Sequence, residues 1–241
     1  MERYESQQSA GFVKESERFV STHLVGYPSA PEWLLELPLL HATPIASVLD
    51  VGCGPGTFLE SVVNHFDAKQ GAGVEPSPQA VKLLEDQYAA DSRLSFREGF
   101  AHLMPFETDQ FDLVVCWSVL HWVGRNEYLQ ALGELIRVTR KHLVIMDFVA
   151  DEDYRVEYHH DARFFTYKMD FTFPVLASGV MRLAHDRRWW EGPDGNRPEE
   201  LTAAQLVPFK GNPLSYVARR ACVFEKDYES LPLLNGADFV S

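Results

Sequence analysis

The sequence predicts an α/β protein built on a doubly wound, mostly parallel sheet with helices on both faces. Three observations carry that expectation. Short apolar runs alternate with helical patterns from Ala46 to Phe148, the order that generates βαβ units. The runs are apolar throughout instead of alternating with polar residues, as strands covered on both faces are. The first run ends in a glycine-rich turn, "VGCGPG", which leads straight into a helical pattern.

The elements follow in order. "ASVLDVG" reads as a buried parallel strand. In "TFLESVVNHF", Phe58, Val62 and Phe66 recur four apart, so this is an amphipathic helix. "GAGVEPS" supplies the second strand, Gly71 to Glu75. Ser77 is a good N-cap and Pro78 a good first helical residue for the helix that follows. "RLSFREG" is the third strand. "FDLVVCWS" is the fourth, and its unbroken apolarity places it centrally. Leu129, Leu132 and Ile136 give the next helix its apolar face, and "HLVIMDF" is the fifth strand.

The pattern changes after Phe148. Between Tyr154 and Phe173 there are seven aromatics in twenty residues, where the chain average of 12% gives two or three. This stretch reads as a lid helix with one face packed on the sheet, its aromatics partly core and partly acceptor pocket. "DRRWWEGPDGNRP" reads as loop from its glycines, prolines and charges. "QLVPFKGNPLSYVARRACVFEKD" reads as two strands about a Gly-Asn-Pro turn, bringing the sheet to seven strands.

Composition narrows the function. A net charge of −13 repels phosphate backbones, so the expected partner is neither nucleic acid nor membrane. The three cysteines, Cys53, Cys116 and Cys222, are widely spaced and form no metal-like pair. They read as free thiols in a reducing compartment. The N-terminus is polar and acidic, unlike a signal peptide, and no run approaches the ~18 apolar residues of a membrane span. A cytoplasmic location is expected.

The glycine turn is the feature with chemical content, because it brings backbone close to a ligand with no Cβ between them. A phosphate loop needs Lys then Ser or Thr after the last glycine, but Thr57 and Phe58 stand there. A dinucleotide fingerprint needs glycine where Thr57 lies. The Tyr-x-x-x-Lys pair of short-chain dehydrogenases is also absent, so an oxidoreductase is disfavoured. What remains is Asp50-x-Gly52-x-Gly54-x-Gly56.

"VLDVGCGPGTF" resembles motif I of the class I S-adenosylmethionine-dependent methyltransferases. Glu75 ends the second strand 25 residues after Asp50, and "FDLVVCWSVLHWV" is similar to the family's fourth-strand motif. The resemblance spans Ala46 to Phe148. It implies a Rossmann-like fold in one domain over 1–241, with N-terminal cap helices at 1–44, a cofactor-binding core at 45–149, a substrate lid at 150–200 and a C-terminal strand pair at 201–227. It implies S-adenosylmethionine as cofactor. Asp50 would face its cationic methionine end, and Gly52, Gly54 and Gly56 would border it. Glu75 would accept from the ribose hydroxyls, Pro76 would flank adenine, and Trp117 and Ser118 would line the site. The family's Asp after strand three is replaced by Phe100, followed by Ala101, so Phe100 would cover adenine. Nor is there a Pro-Gly-Gly turn before the fifth strand. Tyr27 and Trp33 are candidate cap residues.

Catalytic candidates are fewer. His121, after strand four, has an ordinary pKa near neutrality and reads either as a general base toward an acceptor hydroxyl or as a packing or cofactor-covering residue. His159 and His160 offer the same chemistry. With Asp161 they raise the question of a metal, but consecutive helical residues point ~100° apart and suit ligation poorly; no metal site is expected. Arg187, Arg188, Arg219 and Arg220 read as solvated charge. The Asn/Asp-Pro-Pro-Tyr/Phe and Pro-Cys signatures of nucleic-acid methylation are absent. The expected reaction is methyl transfer to an oxygen or nitrogen of a small-molecule acceptor. The alternative is a non-catalytic module, or partner subunit, that keeps the fold and the cofactor.

Overall fold

The computed structural model describes residues 2–149, 153–158, 161–192, 195–197 and 217–228. Helices α1 (Glu2–His23), α2 (Glu32–Leu35) and α3 (Pro38–His41) precede the sheet. The core then runs β1 (Ser47–Val51), α4 (Thr57–His65), β2 (Gln70–Glu75), α5 (Pro78–Gln87), β3 (Leu94–Glu98), β4 (Phe111–Trp117), α6 (Tyr128–Val138) and β5 (Thr139–Phe148). A short 3-10 turn, Leu120–Trp122, follows β4. Beyond β5 come β6 (Tyr154–Tyr158), β7 (Asp161–Lys168), α7 (Thr172–Ala177), β8 (Met181–Gly192), β9 (Gly195–Arg197) and β10 (Val217–Lys226).

The main sheet has the order β3-β2-β1-β4-β5-β10-β8-β9. Its first five strands are parallel, and β10 and β8 join antiparallel. Seven long strands thus make the expected doubly wound sheet, and the three-residue β9 adds an eighth at the edge. The strand order reverses between β1 and β4, where a crevice opens at the carboxyl ends of both. β1 is buried along its whole length. Two apolar clusters cover the sheet: Val48, Leu59, Val63 and Leu84 on one face, and Val114, Leu132, Leu135 and Phe224 on the other. Ser77 caps α5 by accepting from the Ala80 N–H at 3.3 Å, with Pro78 behind it. α6 buries Tyr128, Ala131, Leu132, Leu135 and Val138, while Leu129 stays 67% exposed. The apolar stripe is therefore rotated from the expected one.

Two expectations beyond β5 are corrected. The aromatic stretch is no lid helix. β6 and β7 form an antiparallel pair, with only the short α7 after it. Tyr154, Val156 and Tyr158 are shielded while Arg155 and Glu157 are exposed, a period of two that suits a strand with one face covered. Likewise "DRRWW" is strand: β8 runs through it, paired with β10. Of the expected strand pair at 201–227, the second member is β10. The first lies outside the described residues. Among the described residues, no helix is long and apolar enough to cross a membrane.

Candidate functional site

A cavity of about 870 Å3 opens over the carboxyl ends of β1, β2 and β4. Its floor comes from the loops after those strands. Gly52, Gly54 and Gly56 all have positive φ, at 68°, 51° and 82°, where side chains are disfavoured. At Gly52 a Cβ would sit 2.4 Å from Val119 Cγ2. Gly56 does not line the cavity. It is the N-cap of α4, and a Cβ there would strike the Tyr88 ring at 2.7 Å. Its role is to turn the chain and admit Tyr88, whose hydroxyl donates to Pro55 O at 3.0 Å.

Two carboxyl side chains line this cavity: Glu75 is the last residue of β2 and Asp50 the last but one of β1. Glu75 is 5% exposed and Asp50 is 3% exposed. The Gly54 N–H donates to Glu75 Oε1 at 2.6 Å, and the Ser16 hydroxyl donates to Oε2 at 2.5 Å. Burial raises the Glu75 pKa despite those two bonds. Asp50 has no hydrogen-bond partner among the described residues. Burial, with the Glu75 charge added, pushes its pKa up to about 8. A buried carboxyl left without a partner is a site prepared for a cation.

Pro76, Phe100, Ala101, Trp117 and Ser118 all line the same cavity. The Phe100 ring lies 5.4 Å from that of His102, which also faces the cavity. Tyr27 lines it too, as a cap residue would. Trp33 does not, and packs instead on the Trp117 ring at 6.3 Å.

The roof is made by α1 and the β6–β7 hairpin. Phe12, Glu15, Ser16 and Phe19 descend from α1. The Tyr158 hydroxyl donates to Glu15 Oε2 at 2.8 Å, and Arg18 binds the same oxygen at 2.8 Å. Trp122 sits between them, with ring centroids 6.0 Å from Phe12 and 4.7 Å from Tyr158. The aromatic lid is therefore one wall of the cavity, and α1 carries contacts that no local sequence signal marked.

Of the two readings of His121, the structure takes packing over a base facing the cavity. Its ring turns away from the cavity and is 9% exposed. Nδ1 bonds Asp147 Oδ1 at 2.7 Å, and the His121 backbone N–H donates to Oδ2 at 3.1 Å. Burial lowers the His121 pKa against the pull of Asp147. Burial alone would raise Asp147, but His121, Arg219 and the Phe148 N–H outweigh it and hold it low. The pair is a neutral imidazole donating to an ionised carboxylate, and it fastens the 3-10 turn to β5. It is the neighbouring Trp122 that faces the cavity. His159 and His160 lie outside the described residues. Among the described residues no cluster of His, Cys, Asp or Glu has the geometry to hold a metal ion.

Arg187 and Arg188 are exposed, as expected of solvated charge. Arg219 and Arg220 are not, at 12% and 16% side-chain exposure. Arg220 is held by Asp186 at 2.7 Å. Their register between β5 and β8 inserts them into the sheet's surface.

Comparison with known proteins bears on this site directly. Residues 48–142, which contain the glycine turn, Asp50, Glu75 and β4, match the model of a methyltransferase domain. Over these residues the chain is similar to the class I S-adenosylmethionine-dependent methyltransferases. An uncharacterized methyltransferase of Schizosaccharomyces pombe is 31% identical over 143 residues, which are 54% of this chain and 51% of that protein. A tRNA U34 carboxymethyltransferase of Shewanella pealeana is 32% identical over 131 residues, 51% of this chain and 38% of that one. The chain thus spans about half, or less, of the length of these curated relatives. In fold it is similar to the 1,6-didemethyltoxoflavin-N1-methyltransferase of Burkholderia thailandensis, which holds 1,6-didemethyltoxoflavin and S-adenosylhomocysteine. The TM-score is 0.60 at 16% identity, covering 94% of this chain and 90% of that one.

The residues present fit the family's methyl donor. Glu75 stands at the strand tip where a diol is held in doubly wound folds, and Asp50 lacks the cation its burial calls for.

Proposed function

We propose that this chain transfers a methyl group from S-adenosylmethionine to an oxygen or nitrogen of a small-molecule acceptor. The observation that carries the reading is the enclosure of both ends of the reaction in one cavity. Asp50 and Glu75 mark a donor end on the sheet, and Trp122, Tyr158, Tyr167 and Met169 wall an acceptor end under the lid. A volume of about 870 Å3 falls within the range of small-ligand sites.

Bound S-adenosylmethionine supplies a methyl carbon already activated by a sulfonium. The chain's own residues then have three tasks. Glu75 holds the ribose hydroxyls, and Phe100, Ala101 and Pro76 bracket the adenine. Asp50 takes the positive charge of the methionine end, with Gly52 and Gly54 letting backbone approach. The lid and α1 exclude water and hold the acceptor in line for displacement, the main source of rate in such a transfer. His159 and His160 remain the candidate bases for a hydroxyl acceptor; His121, bound to Asp147, is not. A cytoplasmic site of action accords with the composition.

The tRNA-modifying relatives support a second reading, in which the acceptor is a nucleotide of RNA. Against it stand the net charge of −13 and the roof of α1 and lid over the cavity. Transfer from labelled S-adenosylmethionine into a metabolite extract, beside transfer into total RNA, decides between them. Label in the small-molecule fraction is expected. Label confined to RNA overturns the small-molecule reading, and none in either fraction, with S-adenosylhomocysteine bound, leaves the non-catalytic module.

A further inference from the structure

Among the described residues, three arginines line the cavity: Arg18, Arg125 and Arg155. Two of them have acidic partners. Arg18 donates to Glu15 Oε2 from Nε at 3.1 Å and from Nη2 at 2.8 Å, and Arg125 faces Asp153 at 3.7 Å. Arg155 is bonded to no carboxylate among the described residues. Of the other acids that line the cavity, Asp50 and Glu75 lie at the donor end, and Glu127 lies on the loop into α6.

The hairpin sets the position of Arg155. On β6 it stands opposite Tyr167 of β7, and Tyr167 walls the acceptor end. Directly opposed residues of an antiparallel pair share a face, so the two side chains leave the hairpin together. Phe165, two residues before Tyr167, is on that face as well. The guanidinium carbon of Arg155 lies 4.6 Å from the centroid of the Phe165 ring. A guanidinium that rests one face on a ring keeps its edge of N–H donors for an anion. Arg155 is exposed although it lines the cavity, so its charge stands at the mouth. Deeper in, the character is the opposite: Trp122, Tyr167 and Met169 are aromatic or apolar, and Tyr167 and Met169 are buried.

We propose that the methyl acceptor is an organic anion, with an apolar body against Trp122, Tyr167 and Met169 and a carboxylate or phosphate held by Arg155 at the mouth. The inference rests on the proposed methyl transfer to a small molecule and names the class of that acceptor. The methylated atom is not part of the anion. Transfer breaks the sulfonium C–S bond, forms a C–O or C–N bond and releases the acceptor's proton from that oxygen or nitrogen, so the product keeps its negative group. Arg155 sets specificity and takes no part in those bonds.

The test incubates the full chain with methyl-labelled S-adenosylmethionine and a metabolite extract, beside a control without enzyme. The products pass over a quaternary-ammonium anion exchanger at pH 8. Labelled product is expected to be retained, and product that runs through as a neutral or cationic species overturns the proposal. Alkaline phosphatase tells the two anions apart: release from the resin marks a phosphate, and unchanged retention a carboxylate. The same assay over a dilution series of extract compares Arg155→Gln and Arg155→Lys with the wild type. Arg155→Gln should need roughly tenfold more extract to reach half its maximal rate, the scale of one charge-assisted pair, with the maximal rate within about twofold of wild type. Arg155→Lys keeps the charge, loses the fork and should recover part of the loss. An unchanged half-saturating amount in Arg155→Gln overturns the proposal. So does weaker binding of S-adenosylhomocysteine by that variant, which marks a structural role. If the wild type labels no small molecule at all, the methyl-transfer reading itself has failed, and this inference falls with it.

Discussion

At the scale of single residues, the donor end is governed by Asp50. Its pKa of about 8 means that at pH 7 the carboxyl is mostly protonated in the free protein. A bound sulfonium and ammonium favour the carboxylate and pull the pKa down. Binding of S-adenosylmethionine at pH 7 should therefore release close to one proton. Titration in buffers of different ionisation enthalpy should give apparent heats that differ by nearly that amount, and Asp50→Asn should abolish the difference. Equal heats in all buffers would show that Asp50 does not face the donor's charge. The same shift bears on stability. The folded state holds a proton that the unfolded chain has lost, so free protein loses stability as pH rises from about 4 to 8. Bound donor should remove that loss. The need for glycine at position 52 and for acids at 50 and 75 is local, and the sequence displays it. The partners of those acids are not local: Ser16 reaches Glu75 across 59 positions.

At the scale of elements, the 3-10 turn after β4 decides which side chains reach the cavity. Asp147 on β5 collects the His121 N–H, His121 Nδ1 and the Phe148 N–H. This sends His121 inward and Trp122 outward. Asp147→Ala leaves these buried donors without an acceptor and should cost about 3 kcal/mol, read by urea unfolding. His121→Asn, which keeps a donor in reach of Asp147, should bind S-adenosylhomocysteine as the wild type does. Loss of turnover in that variant, with stability and binding intact, would restore His121 to a catalytic role. The sequence placed His121 at the right loop but could not give its direction, because direction depends on Asp147, 26 positions away. The lid shows a different kind of misreading. Aromatic density suggested a helix, while Tyr154–Tyr158 alternates aromatic or aliphatic residues with charged ones, the period of a strand.

At the scale of the whole molecule, buried histidines set the acid limit of stability. His142 is 4% exposed, and neither ring nitrogen has a hydrogen-bond partner. Burial lowers its pKa from the ordinary 6.5, as it does for His121. Below pH 6.5 the unfolded chain takes up protons that the folded chain refuses, so stability falls as pH falls from 6.5 toward the folded-state values. The unfolding midpoint in urea should drop between pH 7 and pH 5. His142→Leu should make that drop shallower, and an equally steep drop would mean that other groups control it. The acid limb and the Asp50 effect overlap below pH 6.5 and run in opposite directions there. Only the Asp50 effect should respond to donor.

The sequence by itself determined the parallel core, the glycine turn and the two acids at strand tips. Each of these is written in a short-range pattern: continuous apolarity, an N-cap, an absent Cβ. Only the tertiary structure decided that α1 and the lid meet over the cavity, where Glu15 and Tyr158 join from 143 positions apart. Only it set Arg219 beside Ser118 across 101 positions. Both contacts depend on where whole elements come to rest: α1 across the strand tips, and β10 between β5 and β8 in a particular register. Those placements follow from the burial of many side chains at once, and no single stretch of sequence contains them.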